Sequence, residues 1–136
     1  MARFGVLPYV VRLGVVKNLK VAVIQARVPK TREEGEAQVK KLVTKAVKQS
    51  VDMVGLPEDC LAPLKYAIEG YNPFDFLSNL AKDNGIYLFG ANTFKGKNGE
   101  LRNVGFVFDR DGKLLVKHYK VVLTPPEEKD GLAPGD

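Results

Sequence analysis

A strand–helix–strand alternation in the first half of the chain constrains the fold more than any other feature. Lys20–Ala26 is rich in valine and isoleucine, as buried strands are, and Val51–Leu56 is a second apolar run of strand length. Between them, Thr31 and Glu34 have the spacing of a capping box at the start of a helix. Two strands joined by one helix in fewer than forty residues predict a parallel β–α–β unit and an α/β fold.

The predicted helix is amphipathic, with one apolar face and one basic face. Its apolar face contains Val39, Leu42, Val43, Ala46 and Val47. Its basic face contains Lys40, Lys41, Lys45, Lys48 and Gln49. Glu36 lies four residues before Lys40, and this spacing favours an ion pair along the helix.

The rest of the chain contains one further helix and three further strands. In chain order, the predicted elements are a loop at Asp59–Pro73, a helix at Phe74–Lys82, strands at Ile86–Ala91, Asn103–Phe108 and Lys113–Val122, and a loop at Thr124–Asp136. The helix is expected to end at a left-handed Gly85. Asn98-Gly99 and Asp109–Gly112 have the sequences of hairpin turns, so the last three strands are expected to pair as hairpins.

The composition is that of a globular protein and excludes several classes of function. The chain has 136 residues, of which 45% are hydrophobic and 27% charged, and this fits one domain. Its net charge is +5, but the basic residues are spread along the sequence, so no nucleic-acid partner is expected. No segment approaches the roughly eighteen apolar residues of a membrane span, so no membrane partner is expected either.

The single cysteine and the single histidine limit the chemistry that the chain can carry. Cys60 alone fits a reducing compartment and a cytoplasmic protein. Cys60 and His118 cannot provide a zinc site, and the sequence has no phosphate-binding loop, so no metal and no cofactor are expected. A Cys60–His118 pair is a weak alternative, because a lone cysteine is usually a small core residue.

Residues 1–19 precede the first predicted strand and are interpreted as an N-terminal extension to a domain at residues 20–136. Pro8 and Arg12 interrupt the apolar run that a signal peptide would need. A short additional strand at Leu13–Val16 is the alternative.

Two charged residues stand at the ends of predicted strands, where ligands collect in open α/β sheets. Glu58 follows Pro57 after the second strand, and a carboxylate there is expected to be partly desolvated and a better base. Lys120 ends the apolar run of the last strand. Strand alternation places four side chains of this strand on the same face of the sheet: Leu114, Val116, His118 and Lys120. Taken alone, Glu58 is also consistent with a helix cap, and Lys120 with an amine that reaches water.

Several short segments, in order and at compatible spacing, resemble the nitrilase-like carbon–nitrogen hydrolase superfamily. They are Lys20–Gln25 with Leu56-Pro57-Glu58, then Val107–Leu115, Tyr119–Leu123 and Pro134-Gly135-Asp136. The resemblance implies an α/β fold that is the first half of a nitrilase-type αββα sandwich, with a mixed sheet and helices on one face. It also implies hydrolysis of nitriles, amides or carbamoyl groups through a thioester.

The family uses a glutamate–lysine–cysteine triad, and the resemblance assigns two of its members. Glu58 would be the general base that removes the thiol proton, and Lys120 would stabilise the negative charge of the tetrahedral intermediate. A second family glutamate, which orients the site, would be Glu127 or Glu128. The family's cysteine lies beyond the residue at which this sequence ends, and Cys60 is not its equivalent.

The leading hypothesis is therefore a truncated or split carbon–nitrogen hydrolase, inactive alone, that accepts a small amide, nitrile or carbamoyl substrate once a partner completes it. The sheet face that meets the second half would be uncovered, so a homo- or hetero-oligomer is expected. The alternative is a non-catalytic binding or assembly module that pairs with a full-length relative. A third hypothesis is a stand-alone thiol enzyme that uses Cys60.

Overall fold

A five-stranded sheet with helices on one face is the framework of the molecule, which the computed structural model describes from residue 18 to residue 136. In chain order the elements are β1 (Val21–Val23), α1 (Arg32–Val47), β2 (Met53–Gly55), α2 (Leu64–Ile68), α3 (Phe74–Asn84), β3 (Tyr87–Lys95), β4 (Leu101–Phe108), β5 (Leu114–Tyr119) and α4 (Pro125–Lys129). The expected strand at Leu13–Val16, and the N-terminal extension up to residue 17, lie outside the described residues. Between residues 18 and 136, no helix is long and apolar enough to cross a membrane.

The strands follow one another across the sheet in chain order, and the pairing changes direction once. β1, β2 and β3 are parallel, with Val21 opposite Met53 and Met53 opposite Tyr87. β3, β4 and β5 are joined as antiparallel hairpins. The predicted β–α–β unit, the hairpins and the mixed α/β sheet are thereby confirmed.

The core lies between the sheet and the helices α1 and α3. Val39 and Val43 of α1 are fully buried, as are Leu77 of α3 and Leu88 of β3. Burial of each such side chain contributes about 1.5–3 kcal/mol. α3 ends at Gly85, whose φ of 61° is left-handed, as the sequence predicts.

The start of α1 differs from the predicted capping box by one residue. Thr31 is the N-cap, and its Oγ1 accepts a hydrogen bond of 3.2 Å from the N–H of Glu34. The carboxylate of Glu34 accepts a hydrogen bond of 2.8 Å from the N–H of Lys30, and not from that of Thr31. The second hydrogen bond of the cap is therefore made to Lys30, the residue before the N-cap, and not to the N-cap itself.

Glu36 pairs with Tyr71 across the molecule and with Arg32 at the start of its own helix, and not with Lys40. Its Oε1 accepts a hydrogen bond of 2.6 Å from the hydroxyl of Tyr71, and Arg32 lies 4.0 Å away. The expected ion pair with Lys40 is absent among the described residues, because the Tyr71 hydroxyl draws the carboxylate to the inner side of α1. The lysine face of the helix is otherwise exposed, as predicted.

Two predicted loops contain short helices, and two predicted strands have different ends. α2 lies within Asp59–Pro73, and α4 lies within Thr124–Asp136. Each helix starts at or beside a proline, which fits the first turn of a helix although it indicates a loop in a local pattern. β3 extends to Lys95 because it pairs along the whole of β4, whereas β5 ends early, at Tyr119.

A bulge in β5 overturns the predicted alternation of its side chains. The register shifts between Val107 and Phe108 of β4, and Leu115 is the extra residue on β5. Leu114 consequently packs against the core, whereas Val116 lies on the opposite face of the sheet. The prediction that these two residues share a face is wrong, because the bulge inverts the alternation between them.

The face of the sheet opposite the helices is apolar and uncovered within residues 18–136. This surface, named here the open face, contains Val21, Val23, Met53, Phe89, Val107 and Val116. Val23 is 82% exposed and Val116 is 49% exposed. Contiguous apolar surface of this kind is typical of a sheet that packs against further polypeptide.

Candidate active site

The loop that carries Glu58 is fixed to β3 on one side and to α1 on the other. Asp59 has a φ of 52°, in the left-handed region that aspartate tolerates, and its Oδ1 accepts a 2.9 Å hydrogen bond from the N–H of Thr93. A Cβ added to Gly35 of α1 would lie 1.9 Å from the carbonyl oxygen of Leu61, so glycine is required for this approach. These contacts hold Glu58 at the carboxyl end of β2.

Lys120 follows β5, and its backbone is held from both sides. Its N–H donates to the carbonyl oxygen of Asn103 at 2.9 Å, and its own carbonyl accepts from the N–H of Gly135 at 2.8 Å. The Nζ of Lys120 lies 2.8 Å from Oε1 of Glu127 and 3.6 Å from Oε1 of Glu58. The fold thus brings together three of the four residues that the sequence indicates for the site.

Glu127 is held in one orientation by the first turn of α4. Its Oε2 accepts hydrogen bonds from the N–H of Thr124 at 2.7 Å and from the hydroxyl of Thr124 at 2.9 Å. Its Oε1 accepts from Lys120 Nζ and, at 3.0 Å, from Asn103 Nδ2. The Lys120 ammonium, with the Thr124 backbone next, lowers the pKa of Glu127 to about 2. Glu127 is therefore ionised at neutral pH and acts as the counter-ion of Lys120.

Glu128, the alternative to Glu127, is exposed on the far side of α4. Its side chain makes no hydrogen bond or ion pair with any residue from 18 to 136. The two neighbours differ because only Glu127 occupies the third position of the capping box that starts at Thr124. Glu127 therefore belongs to the site with Glu58 and Lys120, and Glu128 does not.

Glu58 is bound through one carboxylate oxygen. Its Oε1 accepts a hydrogen bond from Asn103 Nδ2 and faces Lys120. Its Oε2 receives no hydrogen bond from residues 18–136, so this oxygen is available to accept a proton. The side chain is 48% exposed, contrary to the expected partial desolvation, because no residue from 18 to 136 covers the open face beside it.

Lys120 is a fixed positive charge beside the carboxylate of Glu58, on the side of Oε1. Its hydrogen bond to Glu127, together with the charge of Glu58, raises the pKa of Lys120 above the ordinary lysine value. An ammonium in a fixed position stabilises negative charge that develops on a substrate oxygen. In the part of the chain that the structure covers, no group of three or more His, Cys, Asp or Glu side chains is placed to hold a metal ion.

Asn103 is a member of the site that the sequence does not reveal. It is buried at the start of β4 and contacts Glu58 and Glu127 through its side chain. The one available signal is an asparagine that strand alternation places on the face of β4 opposite the apolar Val104, Phe106 and Phe108. The mouth of the site is lined by Glu58, Ala91, Asn103, Gly105, His118 and Lys120. Gly105 and His118 also border the open face, so the site and the open face are continuous.

Comparison with protein families identifies the chain. The family model described as carbon-nitrogen hydrolase matches residues 20–133. The chain belongs to the carbon–nitrogen hydrolase family. It is 33% identical over 135 residues to an omega-amidase of Mus musculus, and 32% identical over 137 residues to a hydrolase of Schizosaccharomyces pombe. These alignments cover 88% of this chain but 49% and 42% of the two relatives, so this carbon–nitrogen hydrolase spans about half the length of the curated relatives it matches.

Solved structures agree with this result. A member of branch 10 of the nitrilase superfamily from Saccharomyces cerevisiae matches with a TM-score of 0.76 and 29% identity, over 87% of this chain and 49% of its own. An amidase from Nesterenkonia sp. AN1 matches with a TM-score of 0.75 and 20% identity, over 88% of this chain and 50% of its own. The expected nitrilase-type half fold is thereby confirmed.

The single cysteine of this carbon–nitrogen hydrolase chain lies apart from the site. Cys60 is 3% exposed in the core, and burial raises the pKa of its thiol to about 11. His118 is exposed beside the open face, on the other side of the sheet. The structure therefore does not form a Cys60–His118 pair, and the Cys60 thiol is protonated at neutral pH.

Proposed function

We propose that residues 20–136 supply the glutamate and lysine of a site that hydrolyses amides through a cysteine thiol, contributed by polypeptide packed on the open face. Family membership supports the reaction class. The names of two relatives, an omega-amidase and an amidase, favour an amide over a nitrile or a carbamoyl group. One observation carries the proposal: Glu58 Oε2 receives no hydrogen bond from residues 18–136, and Glu58 Oε1 lies 3.6 Å from the Lys120 ammonium.

In the proposed reaction, Glu58 is the general base. Its Oε2 takes the proton of the thiol, the sulfur attacks the carbonyl carbon, and Lys120 stabilises the charge on the carbonyl oxygen. As the carbon–nitrogen bond breaks, Glu58 gives the proton to the leaving amine. Water then hydrolyses the thioester with Glu58 again as base, which releases the acid and regenerates the thiol. The solved Nesterenkonia amidase, in which acrylamide has added to the active-site cysteine, supports a thiol nucleophile.

The chain alone is proposed to be inactive. Cys60 is buried and protonated, and a base with a lysine but no nucleophile gives only a small residual rate. The cytoplasm remains the proposed compartment, because the free thiol of Cys60 suits reducing conditions.

A second function, a non-catalytic assembly module that pairs with a full-length relative, is favoured by the open face itself. Its exposed valines, among them Val23 and Val116, give a partner an apolar surface to bury whether or not catalysis follows. A homo- or hetero-oligomer is proposed in either case.

The test is a complementation assay with the purified chain and a separately produced C-terminal half of the Schizosaccharomyces pombe relative. Ammonia release from small primary amides is measured for each part and for the mixture. We expect hydrolysis in the mixture only, and a loss of about 100-fold or more for Glu58→Gln or Lys120→Met. Glu128→Gln is the matched control, and it should keep full activity because Glu128 lies outside the site.

Each other outcome identifies a different function. Hydrolysis by the chain alone, lost in Cys60→Ala, would establish a stand-alone thiol enzyme and refute the proposal. A stable complex that never hydrolyses an amide would favour the assembly module. Activity of the mixture that survives Glu58→Gln would remove Glu58 from the reaction.

A further inference from the structure

Asn103 contacts each charged residue of the site although it carries no charge. It is 3% exposed, and its carbonyl oxygen accepts the N–H of Lys120 at 2.9 Å. Its Nδ2 donates one hydrogen bond to Oε1 of Glu58 and another, of 3.0 Å, to Oε1 of Glu127. One buried residue therefore joins the Lys120 backbone to both carboxylates.

The chemistry of an amide suits this position better than that of other side chains. Two carboxylates converge on one ammonium at Lys120, so their negative charges repel each other. The Asn103 amide nitrogen has two N–H donors and no charge, and it can serve one oxygen of each carboxylate. Aspartate would add a third negative charge, and leucine would leave both oxygens without this donor.

We propose that Asn103 is the positioning residue of the site. Its amide holds Oε1 of Glu58 and Oε1 of Glu127 on the side of Lys120, and so leaves Oε2 of Glu58 without a hydrogen bond from residues 18–136. The catalytic meaning of this arrangement rests on the proposed function, whereas the positioning itself rests on the hydrogen bonds.

Asn92 provides a matched control for the loss of a buried asparagine. It is 2% exposed and lies on β3, opposite Val104, the neighbour of Asn103 in β4. Its side chain is on the helix side of the sheet, and its Nδ2 donates to the carbonyl oxygen of Thr93 at 2.9 Å. Asn92→Leu therefore removes a buried amide without removing a contact to the site.

The first experiment is a titration of the Lys120 and Glu127 side chains by carbon-13 NMR in the unaltered chain, Asn103→Leu, Asn103→Asp and Asn92→Leu. In Asn103→Leu we expect the proton-binding constant of Glu127 to rise about tenfold, because its carboxylate loses a donor. In Asn103→Asp we expect the proton-binding constant of Lys120 to rise, also by about tenfold, because a carboxylate is added beside the ammonium. Asn92→Leu should leave both constants unchanged.

If Asn103→Leu folds but leaves both titrations unchanged, as Asn92→Leu should, Asn103 is a packing residue and the proposal is wrong. Should the variants not fold, the unaltered chain decides at neutral pH. Nitrogen–carbon couplings across the hydrogen bonds from Asn103 Nδ2 to the carboxylates of Glu58 and Glu127 should both be present, and the absence of either overturns the proposal. Neither measurement requires hydrolysis, so a failed complementation assay would refute the proposed function and leave this inference intact.

Discussion

The Nζ of Lys120 lies 2.8 Å from Oε1 of Glu127, seven residues further along the chain. The same ammonium is 3.6 Å from Oε1 of Glu58. The shorter contact goes to the carboxylate whose other oxygen is already bound by Thr124, and the longer one to the carboxylate whose other oxygen receives no hydrogen bond from residues 18–136. This inequality separates the two glutamates: Glu127 fixes the cation, and Glu58 can exchange a proton.

Removing the charge of Glu127 should make Lys120 a weaker base. The hydrogen bond from Lys120 to Glu127 is the main cause of the raised pKa of Lys120, so Glu127→Gln should move that pKa down toward the ordinary lysine value. The measurement is an NMR titration of the Lys120 side chain. Glu128→Gln is the control and should titrate as the unaltered chain does. An unchanged Lys120 titration in Glu127→Gln would show that the ion pair does not form in solution.

Glu127 should also make the folded state sensitive to acid. Its pKa of about 2 in the folded chain is below the ordinary 4.5, so ionised Glu127 favours folding above the ordinary value, and this contribution is lost as the pH falls toward about 2. We expect the free energy of unfolding to fall by about 1 kcal/mol less in Glu127→Gln than in the unaltered chain as the pH is lowered. The difference is small because solvent screens a partly exposed ion pair. Urea unfolding between about pH 6 and about pH 2 tests this. The two proteins should converge in acid, and a difference that is constant with pH would contradict the assignment.

The sequence predicts the central fold because its signals are local. The apolar runs on either side of α1 and the left-handed Gly85 after α3 are each recognisable within a few residues. Two features depend on more distant contacts. The bulge at Leu115 follows from pairing with β4, and the length of β3 follows from the hairpin that it forms. Neither can be read from local periodicity.

The candidate site is predictable only in part for the same reason. Glu58 and Lys120 stand directly after apolar runs, so position marks them. The choice between Glu127 and Glu128 depends on the first turn of α4. The spacing from Thr124 to Glu127 is a local capping-box signal for that turn, but the prolines of the segment favour a loop. Asn103 finds its partners 45 and 24 residues away in the chain, and no local pattern carries that information.

A charge on the open face should reduce self-association. Val116 is 49% exposed among apolar neighbours, so Val116→Lys should weaken association of the chain by about tenfold or more while it stays folded. Sedimentation velocity over a range of protein concentrations measures this. Val28→Lys is the matched control, because Val28 is 77% exposed but lies in a loop outside the open face. Equal association of the two variants would show that the open face is not the contact surface.

The Cys60 thiol should react slowly with thiol reagents in the folded chain. Burial raises the pKa of Cys60 to about 11, and the residue is 3% exposed, so the thiol is protonated and poorly accessible to reagents. Reaction with a chromogenic disulfide at about pH 8 should be at least about 100-fold slower than for the chain unfolded in urea. Rapid reaction of the folded chain would show that the Cys60 thiol is accessible, and would support the hypothesis that Cys60 is a nucleophile.

Asp59 and Glu127 should change the stability of the folded chain in opposite directions as the pH rises. Burial raises the pKa of Asp59, so the stability linked to its protonated form is present below its unfolded pKa and lost as the pH rises through the folded value. Asp59→Asn removes the buried charge, keeps the Oδ1 acceptor for the N–H of Thr93, and tolerates the left-handed φ of 52°. We expect this variant to be about 1 kcal/mol more stable at neutral pH, and equal to the unaltered chain in acid.

Asp59→Ala should have the opposite effect, because alanine lacks the acceptor for Thr93 and is strained at this φ. We expect a loss of about 2 kcal/mol, measured by urea unfolding at neutral pH. Asp59→Gly relieves the strain without restoring the acceptor, so it should fall between the alanine and asparagine variants. If all three variants were equally stable, the loop that carries Glu58 would not be held by Asp59, and the position of Glu58 would have to depend on Asn103 and on the packing of Gly35 against Leu61.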